Sequence, residues 1–468
     1  MSRRCRNILL FCCNCRQMST RIRIVPELNQ NVYENIVSNN LNPKKHPGVC
    51  RMLPQRIPTV LFDAVQNALK DRCAKTLANE GDAFNRFLRL REAPLDDETC
   101  AENLKNIKER VERRMKTSES KISSEQELNK HKALVKSRSL AIFKKSTYNW
   151  KPVVYDQYTS LLYMMARLPQ NYAVLCRVFN EIAVRDSQFT AKSIFDFGSG
   201  VGTAVWAAKH FWGEHMKEFY CVDTSSHMLD LAQFLVQGDA TSVPLPGYYY
   251  RQFLPSKPRK YDIVVSAFSL IELASKQIRL ETILNLWNQT GQYLVIVEHG
   301  TKSGLRYVKN DLIFQCPHDL HCPRLAPDQS PCNLEVVYFS LPLGVRGETI
   351  KKEKFSYVIL KKGAKPDEDH KWPRIVSRNL KVSRQSICRV CTSEGKLQEV
   401  IFTKAKSGRE SYKCARASRW GDLLPVQLSE LEVEVRDWGA KHGEEEEEEE
   451  EEENDQNEED DVDDSSPK

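Results

Sequence analysis

The segment Ser193–Phe197 reads as a short buried strand, and its end runs into Asp196-Phe197-Gly198-Ser199-Gly200-Val201-Gly202-Thr203, after which Thr203–Phe211 reads as a helix. Glycines at three alternate positions permit a tight strand-to-helix turn and let backbone N–H groups approach a ligand closely. The spacing is Gly-x-Gly-x-Gly, not the Gly-x-Gly-x-x-Gly of dinucleotide binders. Further apolar strands, Phe219–Val222, Tyr261–Ala267 and Tyr293–Val297, alternate with the helical stretches Ser226–Leu235 and Gln277–Asn288. Such alternation predicts an α/β fold with a doubly wound, mainly parallel sheet. Glu335–Phe339 and Phe355–Leu360 suit an antiparallel hairpin that closes it.

Asp223 ends the second strand, 21 residues past Gly202. Together with Asp196 and the glycines it resembles motif I and the second-strand acid of class I S-adenosylmethionine-dependent methyltransferases. That resemblance implies a Rossmann-like fold with S-adenosylmethionine as cofactor. Asp223 would take the ribose hydroxyls, and Asp196, Gly198, Gly200 and Gly202 would form the loop facing the methionine moiety. The segment Ser266-Ala267-Phe268-Ser269-Leu270-Ile271-Glu272 would then face the methyl donor. It carries neither the Asn/Asp-Pro-Pro-aromatic motif of base-amine methyltransferases nor the Pro-Cys nucleophile of cytosine C5 enzymes. Glu272 and Glu298 (beside His299) are the nearby groups able to accept a proton, and they are weak candidates for a general base. Cofactor binding is better supported than methyl transfer, which leaves open whether the chain is an enzyme.

A second chemical signal follows the fifth strand. Cys316-Pro317-His318-Asp319-Leu320-His321-Cys322-Pro323 is followed ten residues on by Cys332. Thiolates converge like this in a Pro-broken loop mainly to hold a soft metal or an iron–sulfur cluster. Cys388 and Cys391 supply a further pair at the spacing of a zinc half-site. Spacing alone leaves zinc and a cluster both open, and leaves Cys388 and Cys391 as rivals for the fourth ligand. Cys414 and the scattered Cys50, Cys73, Cys100, Cys176 and Cys221 read as ordinary core thiols.

Charge is unevenly placed. Seventeen acidic residues lie between Glu444 and Asp464; with Lys468 this tail carries −16 of a chain total of +6, which leaves +22 for the rest. A body that basic suggests a polyanionic partner, most often nucleic acid. The first acidic residue is Glu27, and the arginine-rich, acid-free stretch before it resembles a mitochondrial transit peptide. No uncharged apolar run reaches the roughly 18 residues of a membrane span, so a soluble chain without a membrane partner is expected. The resulting division is 1–26 transit peptide, 27–145 helical and charged, 146–365 methyltransferase-like with a metal loop at 314–334, 366–440 a basic β-rich module, and 441–468 a disordered acidic tail. Glu102–Lys145, lacking Gly and Pro, reads as one long solvated helix or a basic arm. Tyr155–Val184 reads as helices broken at Pro169, with Tyr155, Tyr163 and Arg167 as candidates for lining a ligand cleft.

These elements, with Glu298-His299-Gly300-Thr301-Lys302-Ser303-Gly304 and Tyr412–Asp422, resemble the mitochondrial small-ribosomal-subunit methyltransferase-like family over residues 155–425. The resemblance implies a mitochondrial matrix factor on the maturing small ribosomal subunit, touching its rRNA. It also implies bound S-adenosylmethionine and a [4Fe-4S] cluster on Cys316, Cys322, Cys332 and Cys391, with Cys388 the rival and zinc the alternative. The expected function is ribosome assembly on a catalytically weak or inactive methyltransferase fold. The alternative is an active S-adenosylmethionine-dependent rRNA methyltransferase of the same subunit. Lys381, Arg384, Arg389, Lys404, Lys406, Arg409 and Lys413 are the expected phosphate contacts. Nothing in the sequence sets an oligomeric state.

Overall fold

Seven strands form the central sheet, and both of its faces are covered, which is why its middle strands are mainly apolar. A computed structural model describes residues 19–91, 97–115, 125–147, 153–238, 245–255, 259–309, 322–325, 329–343, 347–363 and 372–435. Before the sheet lie strand β1 (Ser19–Leu28) and helices α1 (Gln30–Val37), α2 (Thr59–Ala68), α3 (Ala74–Leu90), α4 (Asp97–Met115), α5 (Glu125–Thr147) and α6 (Gln157–Arg185). The sheet region follows as β2 (Ser193–Phe197), α7 (Thr203–Trp212), β3 (Glu218–Val222), α8 (Ser226–Gln237), β4 (Tyr248–Arg251) and β5 (Tyr261–Ala267). It continues through α9 (Lys276–Gln289), β6 (Thr290–His299), α10 (Lys302–Lys309), β7 (Leu334–Phe339) and β8 (Ile350–Lys361). The C-terminal part holds β9 (Arg374–Ile375), β10 (Leu380–Val382), β11 (Gln385–Cys391), β12 (Leu397–Phe402), α11 (Lys404–Ser407), α12 (Arg409–Ala417) and β13 (Val426–Val435).

The sheet order is β4-β3-β2-β5-β6-β8-β7. The first five are mutually parallel, and β8 enters antiparallel between β6 and β7. This is the doubly wound, Rossmann-like class I methyltransferase architecture that the strand–helix alternation predicts. Ile194, Ile263, Val265, Val295 and Val297 face α6 and α7, while Phe195, Val264, Leu294, Ile296 and Val358 face Ile283 and Leu286 of α9. Strand order reverses between β2 and β5, so a crevice opens at the carboxyl ends of those strands.

Three expectations are corrected. Pro169 does not break the helix: α6 runs unbroken for 29 residues. The proline is buried along with nearly every side chain from Ser160 to Ile182, and the side-chain amide of Gln170 donates to Ala166 O in the disturbed turn. Burial of that length outweighs the roughly 3 kcal/mol an interior proline costs. Glu102–Lys145 is not one helix but two, α4 and α5, joined by an apolar cluster of Ile107, Val111 and Val135. An edge strand, β4, was missed; three successive tyrosines, Tyr248–Tyr250, were its signal, since aromatic residues favour strands.

Val25–Ser429 forms one compact unit, so the divisions drawn after residues 145 and 365 fall inside it. The described residues outside it, 19–24 and 430–435, belong to a second unit. Strand β1 pairs with β13, and the transit-peptide boundary at 26 cuts β1. Residues 1–18 of that segment and the acidic tail 441–468 lie outside the described residues. Among the described residues no helix is long and apolar enough to cross a membrane.

Candidate cofactor site and cysteine loop

The glycine loop turns at the carboxyl end of β2. Gly198, Gly200 and Gly202 have φ of 67°, 50° and 75°, the left-handed region in which a Cβ is strained. A Cβ on Gly198 would lie 2.4 Å from Cβ of Ser269, so that position is closed to any side chain by both conformation and space. Gly198 N and Ser199 N donate to Val222 O, at 2.8 and 3.0 Å, and Gly200 N donates to Asp223 Oδ2 at 2.9 Å. Ser225 N holds the other oxygen, Oδ1, at 3.0 Å. The ring of Tyr163 on α6 would sit 3.5 Å from a Cβ on Gly200, and Tyr155 packs edge-on against Tyr163. The two tyrosines expected at a cleft therefore stand beside the loop.

Asp196 is 2 % exposed. Burial first, and then the charge of Asp223, push its carboxyl up to about 8. Burial also raises Asp223, against the pull of the Ser225 and Gly200 N–H groups and with Glu272 adding repulsion. The crevice thus brings two carboxyls together, Asp196 keeping its proton at neutral pH and Asp223 held by the N–H groups of Gly200 and Ser225. S-adenosylmethionine, with a sulfonium and an ammonium, is a ligand whose charge suits such a site. The buried Ser199 Oγ, without a hydrogen-bond partner, is a further polar atom available there. On these grounds the residues fit the cofactor. Asp196, Gly198, Gly200, Gly202 and Asp223 are the groups that would hold it.

The turn that follows β5 is closely packed. Phe268, at φ 59°, is a non-glycine residue in the left-handed region. The guanidinium of Arg167 lies 4.8 Å above its ring, and His299 packs on it at 5.0 Å. Arg167 is itself buried, bound to Glu353 Oε1 (3.1 Å), Asn85 (3.0 Å) and Asn171 (2.7 Å). Glu353 is held down to about 2: burial opposes its ionisation, and Arg167, the His299 hydrogen bond and Arg89 overcome it. His299 falls to about 4, by burial first and then Arg167.

Both candidate bases are engaged by the fold, Glu298 through one oxygen only, its buried Oε2 having no hydrogen-bond partner among the described residues. Both oxygens of Glu272 accept from Arg91, Nη2 at 2.8 Å, and Tyr155 OH donates to Oε1 at 3.2 Å. Glu298 is fully buried; its Oε1 accepts from Leu270 N (2.9 Å) and Ile271 N (3.4 Å), capping the turn that follows β5. Burial, only partly offset by those N–H groups, raises its carboxyl to about 8, so it is mostly protonated at neutral pH. Arg91, Asn85 and Glu353 carry no local sequence signal, because each acts through a partner far along the chain. Removing Glu272 would strand the Arg91 side chain, 1 % exposed, without its counter-charge. Glu272→Gln is therefore expected to lower stability by about 2 kcal/mol in urea unfolding. Unchanged stability would mean that the carboxylate serves something other than the fold.

The cysteines divide. Cys316 lies outside the described residues, as do His318, Asp319 and His321. Cys322 is buried at the start of the turn Pro323–Leu325, and Cys332 is half-buried, its carbonyl accepting from Ser356 Oγ of β8 at 2.8 Å. Cys388 and Cys391 are three residues apart on β11 and so face opposite sides of the strand. The thiol of Cys388 lies 3.9 Å from Ala415 O of α12, and burial raises it to about 12. Such a thiol packs as a core group, and Cys391, also buried, lies on the other face of the strand. Among the described residues, no three His, Cys, Asp or Glu side chains are grouped so as to hold a metal ion. Cys50, Cys176, Cys221 and Cys414 are core thiols as expected, whereas Cys73 is exposed and Cys100 half-buried.

Residues 157–425 match the family described as mitochondrial small ribosomal subunit Rsm22. The human mitochondrial ribosome assembly protein METTL17 is 36 % identical over 405 residues, covering 82 % of this chain and 86 % of that one. Rsm22-cox11 tandem protein 2 of Schizosaccharomyces pombe is 23 % identical over 57 % of this chain and 43 % of its own length. Among solved structures, the magnesium protoporphyrin IX methyltransferase of Synechocystis with bound S-adenosylmethionine covers 47 % of this chain and 90 % of its own. Its TM-score is 0.25 at 13 % identity, too low to carry an argument about function.

Proposed function

This chain belongs to the mitochondrial small ribosomal subunit Rsm22 family, and we propose on that premise that it is a mitochondrial assembly factor for the small ribosomal subunit, working in the matrix. It binds S-adenosylmethionine at Asp196, Gly198, Gly200, Gly202 and Asp223 and docks on rRNA through its basic surface, without transferring a methyl group. One observation carries the last point. Both candidate carboxylates are engaged by the fold, Glu272 through both oxygens by Arg91 and Glu298 through Oε1 by the N–H groups of Leu270 and Ile271. Phe268 and Arg167 fill the space beside them. The cofactor, when bound, would supply a methyl group. Its use here is to stabilise the crevice, where a cationic ligand favours ionisation of Asp196 beside Asp223.

We assign an iron–sulfur cluster to Cys316, Cys322, Cys332 and Cys391. The donor chemistry supports this, as does the placement of Cys391 on the face of β11 opposite the buried Cys388. Anaerobically purified protein is expected to show the visible charge-transfer absorption of such a cluster, with iron and sulfide in equal amounts. Colourless protein holding one zinc would replace the cluster by zinc.

Complementation of cells lacking the protein tests the function. Asp196→Ala with Gly200→Ala is expected to impair small-subunit assembly and leave the rRNA methylation pattern of the subunits that do form unchanged. Loss of one specific rRNA methyl group while assembly proceeds would establish an active methyltransferase instead.

A further inference from the structure

Four cations gather at the C-terminal end of α12, and they come from three separate parts of the chain. Arg416 and Arg419 belong to the last turn of the helix and the residues just past it. Arg51 reaches in from the segment before α2, with its guanidinium donating to Ala417 O. Asn379 donates its side-chain amide to Ala415 O (3.1 Å) and Ser418 O (3.0 Å), which ties the start of β10, and with it Lys381, to the same helix end. All four cations are exposed. They are close enough to repel: burial first, and then Arg419, Arg416 and Arg51, lower the ammonium of Lys381. Arg51 is likewise lowered by burial and by Arg419, against the pull of Asp422.

The fold does not need this much charge. A helix C-terminus offers about −0.5 of an elementary charge. Asp422 adds −1, and its carboxylate is already engaged by Cys50 N (3.0 Å) and Arg419 N (2.9 Å). Among the described residues, four cations against these two leave a surplus of roughly +2.5 on one exposed helix end. Like charges are held together at a cost in stability unless a polyanion offsets them. Of the other expected contacts, Arg389 differs in this respect, being paired with Glu399 at 2.7 Å.

We propose that Arg51, Lys381, Arg416 and Arg419 form a clamp for successive phosphodiester groups of RNA. Exposed cations spread over a helix end suit a ligand whose charges repeat along a chain, rather than a single enclosed phosphate. The clamp rests on the rRNA-docking reading and names the surface that performs it. It draws on both ends of the compact unit, so RNA would be gripped only by the folded protein.

The test titrates the full-length protein with labelled mitochondrial small-subunit rRNA over a range of salt concentrations. Lys381→Gln/Arg416→Gln/Arg419→Gln should weaken binding at least tenfold and reduce the slope of log K against log salt by about 2–3, since each lost phosphate contact removes roughly 0.7–0.9. Arg51 is left in place because it holds Ala417 O, and thermal unfolding of the variant should match the wild type. Lys130→Gln/Lys132→Gln/Lys136→Gln on α5 removes the same charge elsewhere and should change the slope by less than 1. An equal drop in both variants would overturn the clamp in favour of a net-charge effect, and an unchanged slope would overturn it outright; either result leaves rRNA docking standing. Failure of the wild type to bind rRNA would overturn the docking reading and the clamp together.

Discussion

Glu181→Gln is expected to destabilise the protein by ~3–5 kcal/mol, the cost of leaving buried cations without their counter-charge. Glu181 is fully buried on α6 and takes hydrogen bonds from three guanidinium groups: Arg177 (3.0 Å), Arg185 (3.0 Å) and Arg374 (2.8 Å). The hydroxyl of Tyr357 donates to it as well, and Arg374 donates in turn to Tyr357 OH (3.0 Å) and Gly421 O (3.2 Å). Burial opposes the charge on Glu181, but Arg374, Arg185 and Arg177 overcome it and hold the carboxyl well below its ordinary value. A carboxyl lowered in this way stabilises the fold above the unfolded-state value of about 4.5 and ceases to do so as pH falls through the lower folded value. The variant should therefore lose most at neutral pH and converge with the wild type in strong acid.

The loss should also be local in a telling way. Arg374 lies on β9, which pairs with Cys391 on β11, so the knot fastens the C-terminal sheet to α6. Hydrogen exchange in β9–β12 should accelerate before exchange in β2, β5 and β6. A Glu181→Gln protein within 1 kcal/mol of wild type, with uniform exchange, would show that the knot is dispensable.

Asp196→Asn carries the second large effect, of opposite sign. The Asp196 carboxyl, raised to about 8 by burial and then Asp223, must keep its proton in the fold while the unfolded chain releases it near 3.8. Between those values the folded state binds the extra proton, so the penalty is absent near pH 4 and grows as pH rises to about 8. At up to 1.36 kcal/mol per pH unit, the wild type should lose about 3 kcal/mol more than Asp196→Asn between pH 5 and pH 8 in chemical denaturation. Parallel pH profiles for the two proteins would refute the raised carboxyl. The same residue sets a pH dependence of binding. A cationic ligand favours ionised Asp196, so S-adenosylmethionine should bind more tightly as pH approaches 8, by at most about tenfold per unit. S-adenosylhomocysteine, which lacks the sulfonium charge, should gain less.

Parts of this were legible from local pattern. The glycine turn, the two aspartates and the strand–helix alternation depend on residues within a few positions of one another, and α7, α8 and α9 begin and end within two residues of where periodicity places them. Pro169 misled because its penalty is local while the burial that outweighs it comes from the sheet and α7. The absence of a nucleophile-positioning motif was visible at Ser266–Glu272, but not its consequence. Glu272 looked like a possible base until Arg91, 181 residues away, was found bound to it.

The sequence by itself determined a class I methyltransferase-like α/β fold, a glycine turn flanked by two aspartates, and the placement along the chain of thiols of soft-donor type. It determined these because turn chemistry, side-chain periodicity and donor type are written in neighbouring residues. Only the tertiary structure decided which charged groups are consumed by the fold and which are left over. Glu298 and Glu181 are buried with partners and the half-buried Glu272 and Arg374 are paired, while among the described residues Lys381, Arg416 and Arg419 collect without enough negative charge to balance them. Electrostatic pairing depends on distance in space and on exclusion of water, and neither is encoded in spacing along the chain.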